Sequence, residues 1–214
     1  MNCKNIKGQT PLHLASSHGH EEVVKILINN DAQVDLKDLR GFTALYIASY
    51  NGHAAVVRLL ITNGADVDST GPHGKTPLIA ASDQGRDEVV SLLITNGNAQ
   101  VDLKDSRGVT ALYAASCKGH AAVVHLLITH GADVDSTTPN GSTPLMAASG
   151  QGKDEIVSLL ITNGANIEAT TNSIRSSSLL LACQRGHFKC VNILIEGGAD
   201  LNQKSKNKKV KQQF

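Results

Sequence analysis

A pattern that recurs about every 33 residues constrains this chain more than any other feature of its sequence. Successive copies begin at glycines separated by 33, 33, 34 and 33 residues, namely Gly8, Gly41, Gly74, Gly108 and Gly141. A sixth, weaker copy begins near Arg175. A fixed period of this size is typical of chains that stack one small structural unit, because a single unit cannot bury its apolar face alone. The sequence therefore predicts an elongated array of repeats.

Each copy carries the signals for two short helices. A threonine is placed to N-cap the first helix, at Thr10, Thr43, Thr76, Thr110 and Thr143. In three copies a proline follows at the first helical position, where its missing N–H costs nothing. A glycine ends this helix after about two turns, and a second, more apolar helix follows, such as residues 21–30. Helices this short are marginal alone, so neighbouring copies must bury each other's faces.

The first copy is the fullest, with the run Thr10-Pro11-Leu12-His13-Leu14-Ala15 followed by Gly19-His20. On these residues the chain resembles the ankyrin repeat family over residues 4–203. The resemblance implies an all-α solenoid of stacked helix-turn-helix units with projecting β-hairpin-like turns. It divides residues 1–203 into six repeats, approximately 8–40, 41–73, 74–107, 108–140, 141–174 and 175–203. It also implies a hydrogen bond between His13 and the capping threonine.

The composition of the chain argues against several classes of function. Aromatic residues make up 3% of the chain, which argues against an aromatic RNA-stacking sheet. The net charge of +1 gives no strong field for nucleic acid, so we do not expect nucleic acid to be a partner. No apolar run is long enough to span a membrane, and the four cysteines show no C-x-x-C spacing. These features favour a reducing compartment, the cytoplasm, with the nucleus left open.

The repeats also form pairs. The second and fourth repeats agree at 25 of 33 positions, and the third and fifth agree at 19 of the 24 positions compared. The differences identify positions that stacking leaves free. In proteins that this chain resembles, partners contact the turn tips and the inner face of the first helix. We therefore predict a protein or peptide partner at the following residues of this chain: Lys37, Leu39, Arg40, Phe42, Tyr50, Asn51, His73, Lys75, Asp83, Gln84, Lys104, Arg107, Val109, Cys117, Lys118 and Asn140.

The prediction of a partner-binding site is most specific in the second repeat. It holds three of the six aromatic residues, Phe42, Tyr46 and Tyr50. Spacing of four residues places Tyr46 and Tyr50 on one helix face, and Arg40 adds a residue type that is enriched at binding hot spots. Tyr46 occupies the position of the signature histidine, so we expect it to pack in the core. For Phe42 and Tyr50 we favour partner contact, with core packing as the alternative.

The other recurring residues and motifs indicate structural roles, not metal binding, nucleotide binding or catalysis. His20, His53, His120 and His187 follow the helix-ending glycines in phase, but the third and fifth repeats have Arg86 and Lys153 there, which a metal site would not tolerate. Gly74-Lys75-Thr76 lacks the first glycine of a phosphate-binding loop. Four aspartates recur with the repeat, at Asp35, Asp68, Asp102 and Asp135. We expect no catalytic residues, cofactor, metal or small-molecule substrate.

The thiols and the ends of the array give further expectations. We expect Cys183 and Cys190 to be buried, and Cys117 to be the best candidate for an exposed thiol. The sixth repeat lacks the capping Thr/Pro pair, so the start of its first helix should be the least stable part of the stack. Residues 204–214 form a lysine-rich tail that we expect to be solvated and disordered. A nuclear-import or anionic-surface patch is its functional alternative.

These features predict a monomeric, non-catalytic scaffold or adaptor for protein–protein interaction. The alternative is an interaction or targeting arm of a larger multidomain protein, such as an enzyme or a ubiquitin-ligase adaptor. The first repeat has little before it to cover its outer side, which favours a longer array or a larger protein.

Overall fold

The computed structural model describes residues 3–202, and within them the chain forms twelve α-helices and no β-strand. The predicted tail, residues 204–214, lies outside the described residues. The helices alternate between an inner and an outer layer. The inner helices are α1 (Pro11–Ser17), α3 (Ala44–Asn51), α5 (Pro77–Asp83), α7 (Ala111–Lys118), α9 (Pro144–Gly150) and α11 (Ser178–Arg185). The outer helices are α2 (Glu21–Asn29), α4 (Ala54–Thr62), α6 (Asp87–Thr95), α8 (Ala121–Thr129), α10 (Asp154–Thr162) and α12 (Phe188–Glu196).

Each inner helix packs against the inner helices before and after it, and each outer helix does the same in its own layer. The predicted all-α solenoid of helix-turn-helix units is therefore confirmed. The core between the layers consists of leucine, valine, isoleucine and alanine, with Leu45, Leu78 and Leu112 fully buried in successive repeats. Thin layers of aliphatic side chains fill this space, which explains why the chain needs so few aromatic residues.

The predicted threonine N-caps are confirmed in five repeats. Each threonine hydroxyl accepts a hydrogen bond from the backbone N–H three residues later, as Thr43 does from Tyr46 at 3.1 Å. This bond satisfies one of the backbone donors that the first turn of a helix leaves without a partner. The inner helices therefore begin at sequence-determined positions.

The sixth repeat lacks the Thr/Pro pair, but its first helix still has a side-chain cap. Ser177 takes the place of the threonine, and its hydroxyl accepts a hydrogen bond from the N–H of Leu180 at 3.4 Å. Serine caps helices about as well as threonine. The irregular feature of this repeat lies two residues earlier, where Arg175 has φ +50° at the position that glycine fills in the other repeats. That left-handed conformation is unfavourable for a residue that carries a Cβ.

Three of the four histidines that follow the helix-ending glycines link successive repeats, which agrees with their structural interpretation. The Nε2 atoms of His53, His120 and His187 lie 3.0–3.3 Å from a backbone carbonyl at the end of the preceding inner helix. Arg86 makes the equivalent contact, from its Nε to the carbonyl oxygen of Tyr50 at 3.4 Å. A cation can replace histidine here because the position requires a long side chain that donates to a carbonyl.

The recurring aspartates join successive repeats, which agrees with the structural interpretation of their recurrence. The carboxylate of Asp35 accepts the N–H of Asp66 at 3.0 Å, and Asp135 accepts the N–H of Asn166 at 2.9 Å. Asp68 and Asp102 make the same kind of contact with the repeat that follows them. Each aspartate therefore has a backbone partner and a position set by the repeat.

The thiol expectations were wrong for Cys183 and Cys117 and confirmed for Cys190. Cys190 is buried, but Cys183 is exposed, whereas Cys117 is half-buried. Cys183 occupies the position of Ser49, Ser82 and Ser116, which are fully buried because the next inner helix covers them. Among the described residues no further inner helix follows α11, so Cys183 remains open to solvent.

Candidate functional site

All sixteen residues predicted to contact a partner lie on the turn tips or at the C-terminal ends of inner helices, and none of them is buried. The structure brings four of them together around one concavity in the second repeat. This concavity, which we call the repeat-two pocket, has a volume of about 370 Å³. Its lining residues are Gln9, Ser17, Arg40, Phe42, Tyr46, Ile47, Tyr50 and Asn51. The pocket therefore spans the first two repeats.

The backbone of Phe42 is held in place on both sides. Its N–H donates to Oδ1 of the buried Asp38 at 3.0 Å, and its carbonyl oxygen accepts the N–H of Asp38 at 2.9 Å. The same carbonyl accepts a hydrogen bond from Nε2 of His13, also at 2.9 Å. Nε2 carries the proton because Nδ1 accepts the backbone N–H of Thr10. The structure thus orients Phe42 before any partner arrives.

The contact that family resemblance implied for His13 is confirmed, since its Nδ1 lies 2.8 Å from the hydroxyl oxygen of Thr10. Because Nε2 of the same ring reaches Phe42, His13 links the first repeat to the turn that begins the second. The link ends on Phe42, which lines the repeat-two pocket. It couples the capping of α1 to the position of the pocket's aromatic ring.

Two side chains pack against the ring of Phe42. The ring of Tyr46 lies with its centroid 4.9 Å away, tilted by 38°. The guanidinium carbon of Arg40 lies 4.8 Å from the centroid of the Phe42 ring, a distance at which a cation is attracted to an aromatic face. Phe42 itself is half-buried. Its ring is therefore packed against two side chains, and only part of it remains open to solvent.

Tyr46 packs in the core, as its position in the repeat predicts. Burial raises the pKa of Tyr46 to about 12, and the carboxylate of Asp83 and the phenol of Tyr50 add to the increase. Its neighbour Gly71 lies so close that a Cβ there would come within 3.0 Å of the Tyr46 ring. Tyr46 thus forms the rigid base of the pocket.

The rim of the pocket is more open. Tyr50 is 44% exposed, and Ile47 and Asn51 are half-buried. The side-chain amide of Asn51 donates to the carbonyl oxygen of Ser17 at 3.0 Å, which fixes its orientation across the repeat boundary. An exposed tyrosine beside a half-buried isoleucine gives the rim both apolar area and a hydroxyl group.

The pocket coincides with the positions at which two nearly identical repeats differ. Of the eight differences between the second and fourth repeats, four line the pocket: Phe42/Val109, Ile47/Ala114, Tyr50/Cys117 and Asn51/Lys118. In each of the first three pairs the second repeat has the larger apolar side chain. Half of the differences between the second repeat and its near-duplicate thus lie around this concavity.

Sequence reasoning missed three lining residues, Gln9, Ser17 and Ile47. Their repeat phase could have identified them. Gln9 stands where Phe42 stands in the next repeat, Ser17 corresponds to Tyr50, and Ile47 replaces an alanine found in the following three repeats. The prediction treated each repeat by itself, whereas the pocket lies between two repeats.

The remaining predicted residues lie outside the pocket, and several already have intramolecular partners. Nζ of Lys37 donates to the carbonyl oxygen of Thr70 at 2.7 Å, and Lys104 makes the same bond to Thr137 at 2.9 Å. The amide of Gln84 donates to the carboxylate of Asp83 at 2.9 Å. The others occupy exposed or half-buried positions on neighbouring tips and helix ends: Leu39, His73, Lys75, Arg107, Val109, Cys117, Lys118 and Asn140.

The described part of the chain contains no group of three or more His, Cys, Asp or Glu side chains that could hold a metal ion. Within residues 3–202, no helix combines the length and apolar character needed to cross a bilayer.

Comparison with known families decides the classification. The family model described as ankyrin repeats (3 copies) matches the chain over residues 1–71, 68–138 and 123–205. The chain belongs to the ankyrin repeat family. Ankyrin repeats are generally protein–protein interaction modules, and ankyrin repeat domains are typically non-catalytic. No curated protein sequence is significantly similar to the chain.

Solved structures of ankyrin repeat domains resemble this one closely. The human ASB11 ankyrin repeat domain has a TM-score of 0.84 at 26% identity, covering 92% of this chain and 87% of that chain. The ankyrin repeat domain of Bcl-3, described as a unique member of the IkappaB protein family, has a TM-score of 0.80 at 30% identity, covering 91% and 88%. An ankyrin repeat domain from Acinetobacter baumannii has a TM-score of 0.80 at 28% identity, covering 89% and 98%.

Proposed function

We propose that this ankyrin repeat protein is a non-catalytic scaffold or adaptor that binds a protein or peptide on its turn tips and inner helices. The observation that carries the proposal is the repeat-two pocket, in which Arg40, Phe42, Tyr50 and Asn51 meet. Aromatic and arginine side chains in a preformed concavity are typical of interface hot spots. The fixed backbone of Phe42 lowers the entropy cost of binding.

The proposed compartment is reducing, either the cytoplasm or the nucleus. All four cysteines are free, and the two exposed ones, Cys3 and Cys183, are at opposite ends of the described chain. Free exposed thiols persist where glutathione keeps them reduced. We propose that the protein is a monomer and that the sixteen candidate residues form its contact surface for a partner.

The experiment compares quantitative affinity capture from cells by the wild-type protein and by two variants. F42A/Y50A removes two rings of the pocket, and V109A/C117A changes the equivalent positions of the fourth repeat. We expect F42A/Y50A to lose at least one partner that the wild-type protein and V109A/C117A retain. If circular dichroism shows that all three proteins are folded and F42A/Y50A loses no partner, the proposal fails.

A second candidate function is that of an interaction or targeting arm within a larger multidomain protein, such as an enzyme or a ubiquitin-ligase adaptor. It is favoured by Val23 on α2, which is 46% exposed although its equivalents Val56, Val89 and Val123 are 1% exposed. An apolar side chain of this kind can be covered by a neighbouring domain. A full-length transcript that encodes additional domains would support this function, and one that ends with this chain would exclude it.

A further inference from the structure

Charged side chains are distributed unequally between the two layers of the stack. The turns and inner helices, which we call the inner surface, comprise residues 3–18, 36–51, 69–84, 103–118, 136–151 and 170–185. Lysines and arginines number ten on the inner surface, against three carboxylates. The rest of residues 3–202, comprising the outer helices and the loops after them, carries five cations and sixteen carboxylates. A nearly neutral sequence therefore folds into a basic inner surface and an acidic outer one.

Two of the three inner carboxylates do not offset this charge at the surface. Asp38 and Asp105 are 6% and 5% exposed, and Oδ1 of each accepts two backbone N–H groups of its own turn. Asp83 is the remaining carboxylate and is half-buried. Exposed cations on the same surface include Arg40, Arg107, Lys118 and Arg185. The accessible charge of the inner surface is thus even more positive than the count indicates.

The two arginines of the matching turns have different contacts. Arg107 Nη2 lies 3.3 Å from Oδ2 of Asp105, and its Nε lies 3.4 Å from the same atom. Arg40 Nε lies 3.8 Å from Oδ2 of Asp38, which is too long for a hydrogen bond, and this buried oxygen has no hydrogen-bond partner. The guanidinium of Arg40 therefore keeps its donors available, whereas that of Arg107 has an aspartate partner.

The two turns also differ in the residue two positions after the arginine. Phe42 provides an aromatic ring that attracts the Arg40 guanidinium, while the equivalent Val109 provides none. Arg40 is drawn over the pocket's own ring and away from its aspartate. The structure thus places an unsatisfied guanidinium at the edge of an apolar concavity, where a carboxylate would complete its hydrogen bonds.

We propose that the partner presents an extended acidic segment to the inner surface. This inference rests on the proposed function and specifies its ligand. A large apolar side chain of the segment enters the repeat-two pocket between Ile47 and Tyr50, and an adjacent Asp or Glu pairs with Arg40. Further acidic side chains face Arg107 and Lys118 in the following repeats. Charge complementarity of this kind sets the partner's orientation and accelerates association.

A peptide fits this surface better than a nucleic acid. The ring of Phe42 already has the Arg40 guanidinium and the Tyr46 ring against it, so it offers little open face for a base to stack on. The carboxylate of Asp83 stands within the surface, close enough to raise the pKa of Tyr46, and it would repel a phosphate backbone. An acidic peptide can have an uncharged residue opposite Asp83, whereas a nucleic acid carries a negative charge at every nucleotide.

The test is a selection from a displayed library of random 12-residue peptides on the immobilised full chain. We expect the enriched peptides to contain a large apolar residue with Asp or Glu within two positions, and to be depleted of Lys and Arg. For a selected peptide labelled with fluorescein, R40A should lower the affinity by about tenfold or more, and R107A by less than about threefold. Circular dichroism checks that both variants are folded.

The outcomes separate the two proposals. Enriched peptides that lose binding in F42A/Y50A but are neutral or basic would overturn the acidic ligand and leave the interaction surface intact. If no enriched peptide depends on Phe42 and Tyr50, the interaction surface itself is wrong. Equal losses in R40A and R107A would overturn the special role of Arg40. Tighter binding of a 20-nucleotide poly(U) RNA, or self-association in sedimentation experiments, would replace the acidic peptide with nucleic acid or a second copy.

Discussion

The imidazole ring of His53 lies directly over Gly19, at the boundary between the first two repeats. A Cβ on Gly19 would come within 2.6 Å of Nδ1 of His53, while Nε2 of the same ring is 3.0 Å from the carbonyl oxygen of Ser17. The glycine therefore has two functions, since it ends α1 in a left-handed conformation and leaves room for the next repeat's histidine. The same arrangement recurs at Gly85 with His120 and at Gly152 with His187.

This close approach predicts a larger cost for alanine at Gly85 than at Gly131. Both residues have positive φ, at +67° and +85°, but a Cβ at Gly85 would lie 2.5 Å from His120 and one at Gly131 would meet nothing within 4 Å. We expect G131A to lower the free energy of unfolding by about 1 kcal/mol through backbone strain. G85A should cost about 1–3 kcal/mol more, since the added methyl displaces the histidine. Urea unfolding measures the free energy of unfolding of both variants. Equal costs would contradict the close packing of His120 against Gly85.

The buried serines of the inner helices predict a stabilising substitution. The hydroxyls of Ser49, Ser82, Ser116 and Ser149 are fully buried and have no hydrogen-bond partner. Burying an unpaired hydroxyl is unfavourable, and alanine is the better helix former. S82A should therefore raise the free energy of unfolding by about 0.5–1 kcal/mol. T76A, which removes the cap of the same helix, should lower it by about 1 kcal/mol. A loss of stability in S82A would show that its hydroxyl has a partner after all.

Tyr46 predicts a specific dependence of stability on alkaline pH. Burial raises its pKa from 10.0 to about 12 in the folded protein. Between these values the unfolded chain has lost the phenolic proton and the folded chain retains it, so unfolding becomes more favourable as pH rises. The free energy of unfolding should fall more steeply from pH 10 to pH 12 in the wild-type protein than in Y46F. Parallel profiles from chemical denaturation would mean that Tyr46 is not buried as described.

The cysteines differ in accessibility, and thiol labelling can measure the difference. Cys183 is exposed, whereas Cys190 is 1% exposed and burial raises the pKa of its thiol, with Asp154 adding to the increase. N-ethylmaleimide should modify Cys183 at a rate close to that of the same residue in urea, and Cys190 much more slowly than in urea. Peptide mass spectrometry reports each site. Rapid labelling of Cys190 in the native protein would contradict the packing of α12 against α10.

The periodic features could be predicted from sequence because each depends on local chemistry that is repeated. The threonine caps and the helix-ending glycines are of this kind. The extra residue of the third repeat is visible as a spacing of 34 residues between Gly74 and Gly108. That residue is accommodated after α6, where Asn98 takes a positive φ of 54°. The absence of the Thr/Pro pair from the sixth repeat is visible in the sequence, but the cap that Ser177 supplies there was not predicted.

Features that depend on neighbouring repeats could not be predicted in the same way. The turns around Arg40 and Arg107 look alike in sequence, yet Arg40 lies over the Phe42 ring and Arg107 pairs with Asp105. The exposure of Cys183 depends on what covers α11, and the repeat-two pocket on the approach of Gln9 and Ser17 from the first repeat. The residues of the sequence-predicted site do lie on one surface, while their grouping within that surface required the fold.

Photo-crosslinking tests most directly the claim that the inner surface of the second repeat holds the partner. Benzoylphenylalanine at position 50 preserves an aromatic side chain at the pocket, and the same residue at position 58 replaces an exposed arginine on outer helix α4. On irradiation in cells, we expect a crosslinked partner at position 50 and none at position 58, with the position-50 product lost in R40A. A partner that crosslinks at position 58 and not at position 50 would contradict the account.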